Sequence, residues 1–396
     1  MDSSPRPLHL GIVAGESSGD QLGAALIAAL RSRVPQLHCA GVAGPLMQAA
    51  GCEPWAAARE LAVMGLIEPL KHLPRLLRLR RRLRTRFVAE RPDAFIGVDA
   101  PAFNLGLARA LRRAGVPTVQ YVSPQVWAWR QGRVRRIRQA CDLVLCLLPF
   151  EAEFYERHGV RALFVGHPLA DQIPLDIDRA RARRELGIDP DVPLIAILPG
   201  SRLGEVERLG ADFIAAARWV QAHRPSVEFI APMASGEVRS IFERQMRGGG
   251  WGAVRIVDGQ AQRVLSAADA ALVTSGTATL EALLCKVPMV VAYRFAPLTA
   301  WAIKCLRLVK VRYFSQPNLL AGRGLVPEFF QAQVTPQGLG AAVLKALEDR
   351  PRRAALEEEF RRVHRELRLG GAERAATAIL QLIEQARASR TENPSR

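Results

Sequence analysis

The chain alternates short apolar runs with stretches in which apolar side chains recur at helical spacing. The run 8–14 (LHLGIVA) predicts a buried strand, the glycine-rich 15–20 a tight loop, and 21–31 a helix. Further strands are expected at 94–98, 118–122, 143–147 and 162–165. Gly166-His167-Pro168 and the polar stretch to Asp191, with a short helix at 179–186, mark a boundary. The alternation then restarts, with strands expected at 194–198, 227–230, 254–256, 270–274 and 289–292. The tail from 338 to about 387 has helical spacing, broken near Arg350-Pro351 and Gly370-Gly371, with fraying expected beyond Ala388. Such repetition predicts parallel sheets with helices on both faces. Because 396 residues exceed one ordinary core, the division is into 1–172, 173–340 and a C-terminal helical segment 341–396.

Composition narrows the class. Apolar residues are 49% and charged residues 23% of the chain, a globular balance. The net charge of +17 points to an anionic partner: phosphate-bearing substrates, an acidic membrane surface or nucleic acid. Six cysteines without paired spacing argue against a disulfide framework or a zinc site and fit a reducing cytosol. Residues 8–15 are too short, and lack the basic leader, for a secretory signal. The longest apolar stretch, 287–303, is interrupted by Arg294 and two prolines, so no membrane span is expected.

In doubly wound sheets ligands bind beyond the carboxyl ends of strands, which directs attention to five loops. The loop 15–20 (GESSGD) is neither a Walker A nor a G-x-G-x-x-G sequence. Its glycines either admit a ligand close to the backbone or make a plain strand–helix turn with Asp20 as N-cap. Asp99 follows a buried strand, where a carboxylate can act as general base or merely cap a turn; Asn104 can orient a substrate or cap the next helix. In 121–138, Trp127 and Trp129 stand beside Arg130, Arg133 and further arginines, an arrangement for holding a phosphate or an apolar anchor under a basic helix. Gly200, Ser201 and Arg202 between a strand and a helix form a diphosphate cradle. Ser275, Gly276, Thr277 and Thr279 repeat that logic, with Glu281 one turn into the helix to accept ribose hydroxyls.

The segment 71–87 interleaves leucines with arginines. Leu73, Leu76 and Leu77 with Arg78, Arg81 and Arg82 suit an anionic bilayer surface, or equally a packed helix with a solvated basic side. A second basic region, 282–327, has seven Lys or Arg and no acidic residue. RNA could use these surfaces, but no RNP, KH or zinc-finger pattern accompanies them.

From about 8 to 334 these loops, in this order, resemble lipid-A-disaccharide synthases, glycosyltransferases of the GT-B type. The carriers are 14–20 (AGESSGD), 97–104 (GVDAPAFN), 121–133, 149–151 (PFE), 165–171 (VGHPLAD), 198–206 (LPGSRLGEV), 275–281 (SGTATLE) and 317–322 (PNLLAG). Ala102 departs from the Asp common in the family, and Gln316 from a usual Leu. The resemblance implies an α/β GT-B fold, two Rossmann-like doubly wound domains facing a central cleft and closed by C-terminal helices. It implies an inverting transfer from UDP-2,3-diacylglucosamine to 2,3-diacylglucosamine 1-phosphate (lipid X), releasing UDP and a β-1,6 tetraacyl disaccharide 1-phosphate for lipid A. Asp99 would be the base, with Glu16 its rival or a donor-sugar positioner. Gly200–Arg202, Ser275–Thr279, Glu281 and Asn318 would hold UDP, and Asn104, Arg130 and Arg133 the acceptor. No metal or other cofactor is expected, and no nucleic acid. The implied setting is the cytoplasmic face of the inner membrane, with a homodimer through the C-terminal helices suggested. The alternatives are another GT-B UDP-sugar enzyme, such as an epimerase, or an RNA-binding protein.

Overall fold

Every apolar run expected to form a strand does so in the computed structural model, which describes residues 7–62, 69–127, 131–296 and 312–392. The chain falls into two units, Met1–Asp171 with Leu367–Arg396, and Gln172–Glu366. The first contains β1 (Leu8–Ala14), β2 (Leu37–Ala43), β3 (Cys52–Ala57), β4 (Ala94–Val98), β5 (Thr118–Tyr121), β6 (Leu143–Cys146) and β7 (Ala162–Phe164). They pair in parallel in the order β3-β2-β1-β4-β5-β6-β7. The second contains β8 (Leu194–Leu198), β9 (Glu228–Met233), β10 (Val254–Asp258), β11 (Ala270–Thr274), β12 (Met289–Tyr293) and β13 (Glu328–Phe330). Their order is β10-β9-β8-β11-β12-β13, again parallel. Strand order reverses between β1 and β4 and between β8 and β11, and these switch points open the crevices where such sheets take ligands. Sequence patterning missed β2, β3 and β13. Of these, β3 contains Pro54 and β13 is three residues long, and both lie at sheet edges, where backbone pairing is one-sided.

The first helix, Ser17–Arg31, begins earlier than its apolar spacing suggested and buries Leu22, Leu26, Ile27 and Leu30. Asp20 is therefore not its N-cap. The buried carboxylate instead accepts the amides of Gly44 (3.0 Å), Leu46 (2.9 Å) and Met47 (3.0 Å), capping the short helix Pro45–Ala49 after β2. Asp20→Ala strands three amides that the carboxylate satisfies, and should cost about 3 kcal/mol. Urea unfolding followed by circular dichroism checks this, and an unchanged midpoint would contradict it.

The basic helix Pro69–Glu90 is a packed helix with a wet side. Leu79, Leu83 and Phe87, four residues apart, enter the core, where Phe87 meets Trp55 (4.6 Å between centroids) and Phe95 (5.5 Å). Leu73 and Leu77 remain 46% and 41% exposed, and Arg78, Arg81 and Arg82 face solvent, while Leu76 is half-buried. Among the described residues no helix is long and apolar enough to cross a membrane.

The tail is shared between the units. Helices Pro336–Glu348 and Arg350–Leu367 serve the second, breaking near Arg350 as the sequence suggested. Helix Gly371–Glu392 packs Ala375, Ala376, Ile379 and Ile383 into the first unit's core. Asp171 accepts the Gly370 (2.9 Å) and Gly371 (2.8 Å) amides at its start, and Arg387 pairs with Asp93 (2.8 Å). Those contacts carry the helix to Glu392 rather than letting it fray at Ala388.

Candidate active site

At the switch point of the first sheet, Glu16 ends the loop after β1 and Asp99 follows β4. Glu16 is exposed at the N-cap of helix Ser17–Arg31, without a side-chain cap bond. Asp99 is half-buried at φ 51°, followed by Ala100 at φ 41°, two consecutive non-glycine residues in the left-handed region. The turn persists because its surroundings grip it. The Asp99 amide donates to the Tyr121 carbonyl (2.8 Å), and the Asp99 carbonyl accepts both Asn104 Nδ2 (2.8 Å) and Gln120 Nε2 (3.0 Å). Burial raises the Asp99 pKa, opposed by a hydrogen bond from the Ala100 amide. Ala100, not Asp99, is the N-cap of helix Pro101–Arg113, so the capping alternative fails in its simple form.

The Asn104 side-chain amide is turned onto the protein's own backbone. Wholly buried, it donates to the carbonyls of Val13 (3.3 Å), Val98 (3.4 Å) and Asp99, and so positions the β4 turn. Trp127 donates from its indole to the buried Glu151 (3.1 Å) and meets Phe150 edge-on, the apolar-anchor alternative for this loop. Burial pushes the Glu151 pKa up. Arg133 stands exposed before helix Val134–Ala140, while Arg130 and Trp129 lie outside the described residues.

In the second sheet the switch point holds a pocket of about 440 Å³ lined by Gly200, Ser201, Arg202, Ser275, Gly276, Thr277 and Glu281. Both loops singled out in the sequence thus converge. Gly276 adopts φ 155° and ψ −159° and gives helix Thr277–Leu284 no side-chain cap; the Thr279 amide turns back onto the Gly276 carbonyl (3.1 Å), while Thr277 and Ala278, at the amino end, line the pocket. The Ser275 hydroxyl donates to the Phe314 carbonyl (2.8 Å). Glu281 is half-buried, and desolvation raises its pKa.

The loop 200–202 differs from a simple phosphate cradle. Glu205 turns back so that Oε2 accepts the Ser201 (3.1 Å) and Arg202 (3.3 Å) amides, while Oε1 lies 3.6 Å from the Arg202 guanidinium. Gly200, at φ 126°, admits this, since a Cβ there would lie 2.5 Å from that of Glu205. What the loop offers an anion is chiefly Arg202, whose side chain is 71% exposed.

Two further expected ligands are internal clamps. Asn318 is buried, donating to Val326 O and Glu328 and accepting the Leu325 and Val326 amides. Thr279 is buried, donating to Gly276 O (2.8 Å) and accepting the Gln316 amide (3.2 Å). Both shape the pocket loop without lining the pocket. Pro232, Met233, Ala234, Gly259, Ala261 and Tyr293, at the ends of β9, β10 and β12, also line the pocket and carry no motif in the sequence. Their signal was position, at or just past the carboxyl ends of strands.

A larger cavity, about 600 Å³, lies at the amino ends of β8 and β11 around Arg179, Arg183 and Arg353. Asp269 pairs with all three arginines (2.7, 2.6 and 3.6 Å), and Arg183 also donates to four backbone carbonyls, which makes this a structural network. No Asp-x-Asp triplet was expected, but the sequence holds two, at 176–178 and 189–191. Neither lines the switch-point pocket, and Asp178 caps helix Arg179–Leu186. Among the described residues no three His, Cys, Asp or Glu side chains are grouped to hold a metal ion.

Two doubly wound units, the second with a pocket at its switch point, define an α/β protein of the GT-B fold. Solved structures share this fold: a UDP-GlcNAc 2-epimerase from Neisseria meningitidis (TM-score 0.61, 12% identity, 96% of this chain and all of that one) and a calicheamicin glycosyltransferase (TM-score 0.56, 18% identity, 96% and 99%). The family model for lipid-A-disaccharide synthetase matches residues 10–381. The lipid-A-disaccharide synthase of Alkalilimnicola ehrlichii is 52% identical over 376 residues, 94% of this chain and 98% of that one. The chain belongs to the lipid-A-disaccharide synthase family, glycosyltransferases that make the lipid A disaccharide. Membership places the chain with the synthases rather than with the epimerases, which share the fold at low identity.

Proposed function

We propose that the enzyme transfers 2,3-diacylglucosamine from UDP to the 6-hydroxyl of 2,3-diacylglucosamine 1-phosphate by one inverting displacement. Asp99 takes the hydroxyl proton as the oxygen attacks the anomeric carbon. The bond from that carbon to the diphosphate oxygen breaks, and UDP leaves with the electron pair. Arg202 and the amino end of helix Thr277–Leu284 meet the charge that develops on the diphosphate. Glu281 accepts the ribose hydroxyls, and Arg133 and Arg130 hold the acceptor phosphate. We assign no metal or other cofactor to the step. The observation that carries this reading is the convergence of Arg202, Gly276, Thr277 and Glu281 on one pocket of nucleotide-binding position. Asp99 is favoured over Glu16 because burial raises its basicity and three bonds to its backbone fix its turn, whereas Glu16 is exposed. Incubation with radiolabelled donor and acceptor should give tetraacyl disaccharide and UDP in equal amounts. UDP release without disaccharide would refute the acceptor assignment.

The same reading puts the enzyme on the anionic cytoplasmic surface of the inner membrane, held by Leu73, Leu77, Arg78, Arg81 and Arg82. Five described cysteines are free and buried, in keeping with a reducing compartment. Leu73→Ser with Leu77→Ser should weaken partition onto phosphatidylglycerol vesicles by about tenfold. Flotation at fixed salt measures it, and unaltered flotation would assign attachment elsewhere. Leu79 and Leu83 are unsuitable, because their loss would disturb the core. A homodimer through the C-terminal helices has less support, since Ile379 and Ile383 are spent on the first unit's core.

A further inference from the structure

We propose that Tyr293, Phe295 and Phe330, at or just past the carboxyl ends of β12 and β13, form with Phe314, just before helix Gln316–Ala321, the subsite for an acyl chain of the sugar donor. This rests on reading the adjoining pocket as the UDP site. Tyr293 lines that pocket. It is the register partner of Phe330, so the two side chains leave the sheet on the same face. From Tyr293 the rings continue as a chain of neighbours: Phe295 at 4.8 Å, Phe330 at 5.8 Å from Phe295, and Phe314 at 5.8 Å from Phe330.

The run is fixed to the phosphate loop. The Phe314 carbonyl accepts the Ser275 hydroxyl, and Glu328 accepts the Phe314 (3.2 Å) and Ser315 (2.9 Å) amides. Gln331 accepts the Phe295 amide at 2.9 Å. Backbone polar groups that would spoil a greasy surface are therefore occupied. Arg294, between the two aromatic residues, pairs with Asp212 (2.6 Å) and donates to Val334 O (2.9 Å). Its charge is thereby engaged away from the rings.

These rings are not ordinary core. Phe213, Phe229 and Phe242 of the same unit are fully buried, whereas Phe295 and Phe314 are half-buried and Phe330 is 36% exposed. Partly wet aromatics continuous with a nucleotide pocket fit a ligand whose head is a nucleoside diphosphate and whose body is hydrocarbon. An acyl chain borne by the sugar next to the diphosphate is such a body.

The test is steady-state kinetics of Phe330→Ser and Phe330→Leu with UDP-2,3-diacylglucosamine carrying long or short acyl chains, beside UDP affinity by calorimetry. Phe330→Ser should raise KM for the long-chain donor about tenfold, leave the short-chain donor and UDP affinity nearly unchanged, and be rescued by Phe330→Leu. Normal UDP affinity with an unchanged long-chain KM overturns the subsite alone. Loss of UDP affinity in Phe330→Ser overturns it too, by showing that the ring supports the pocket fold. Failure of the unaltered enzyme to bind UDP at this pocket overturns the underlying reading and the subsite with it.

Discussion

Asp99→Ala should lower kcat by about 10³-fold while leaving UDP affinity within about twofold. The carboxylate follows β4, whereas the pocket proposed for UDP is lined by loops of the other sheet, so removing the base should leave the leaving group's binding intact. Asp99→Asn should be almost as damaging, because an amide keeps the shape but cannot take the proton. The pH profile adds a sign. The base works when deprotonated, and burial holds its pKa above the ordinary carboxylate value. Activity should therefore fall as pH drops through that raised pKa, at a higher pH than an exposed Asp would give, and Asp99→Asn should abolish this limb. Normal turnover at saturating substrates, or a profile whose acidic limb survives in Asp99→Asn, would move the base to Glu16.

Arg202→Ala should cost about 10²–10³-fold in kcat/KM and also weaken UDP binding, a pattern distinct from Asp99→Ala. The reason lies in the loop. The Ser201 and Arg202 amides already serve Glu205, so the guanidinium is the main positive group that this loop brings to the pocket. Arg202→Lys should recover only part of the loss, since an ammonium cannot grip two phosphate oxygens in the planar manner of a guanidinium. Radiolabelled transfer assays with UDP calorimetry read both effects. Full activity of Arg202→Ala would place the diphosphate elsewhere.

The sequence by itself determined the architecture and the address of the site. Buried strands of a parallel sheet are continuous apolar runs, and a run such as 194–198 followed by Pro199-Gly200-Ser201-Arg202 marks both a strand and the loop at its carboxyl end. The pocket lining by Arg202 and Glu281 and the strand-end position of Asp99 were legible for that reason, as was the family, whose motifs are those loops. Only the tertiary structure separated lining from clamping. Asn104, Thr279 and Asn318 stand in motifs that pointed to ligands, yet their side chains are buried against carbonyls and amides brought near by folding. Asp20 likewise caps a helix more than twenty residues away, and Leu79 and Leu83 belong to the core whereas Leu73 and Leu77 do not. Strand and loop positions follow from local period and burial. What a polar side chain does depends on which unsatisfied backbone group comes within 3 Å, and packing between distant segments decides that.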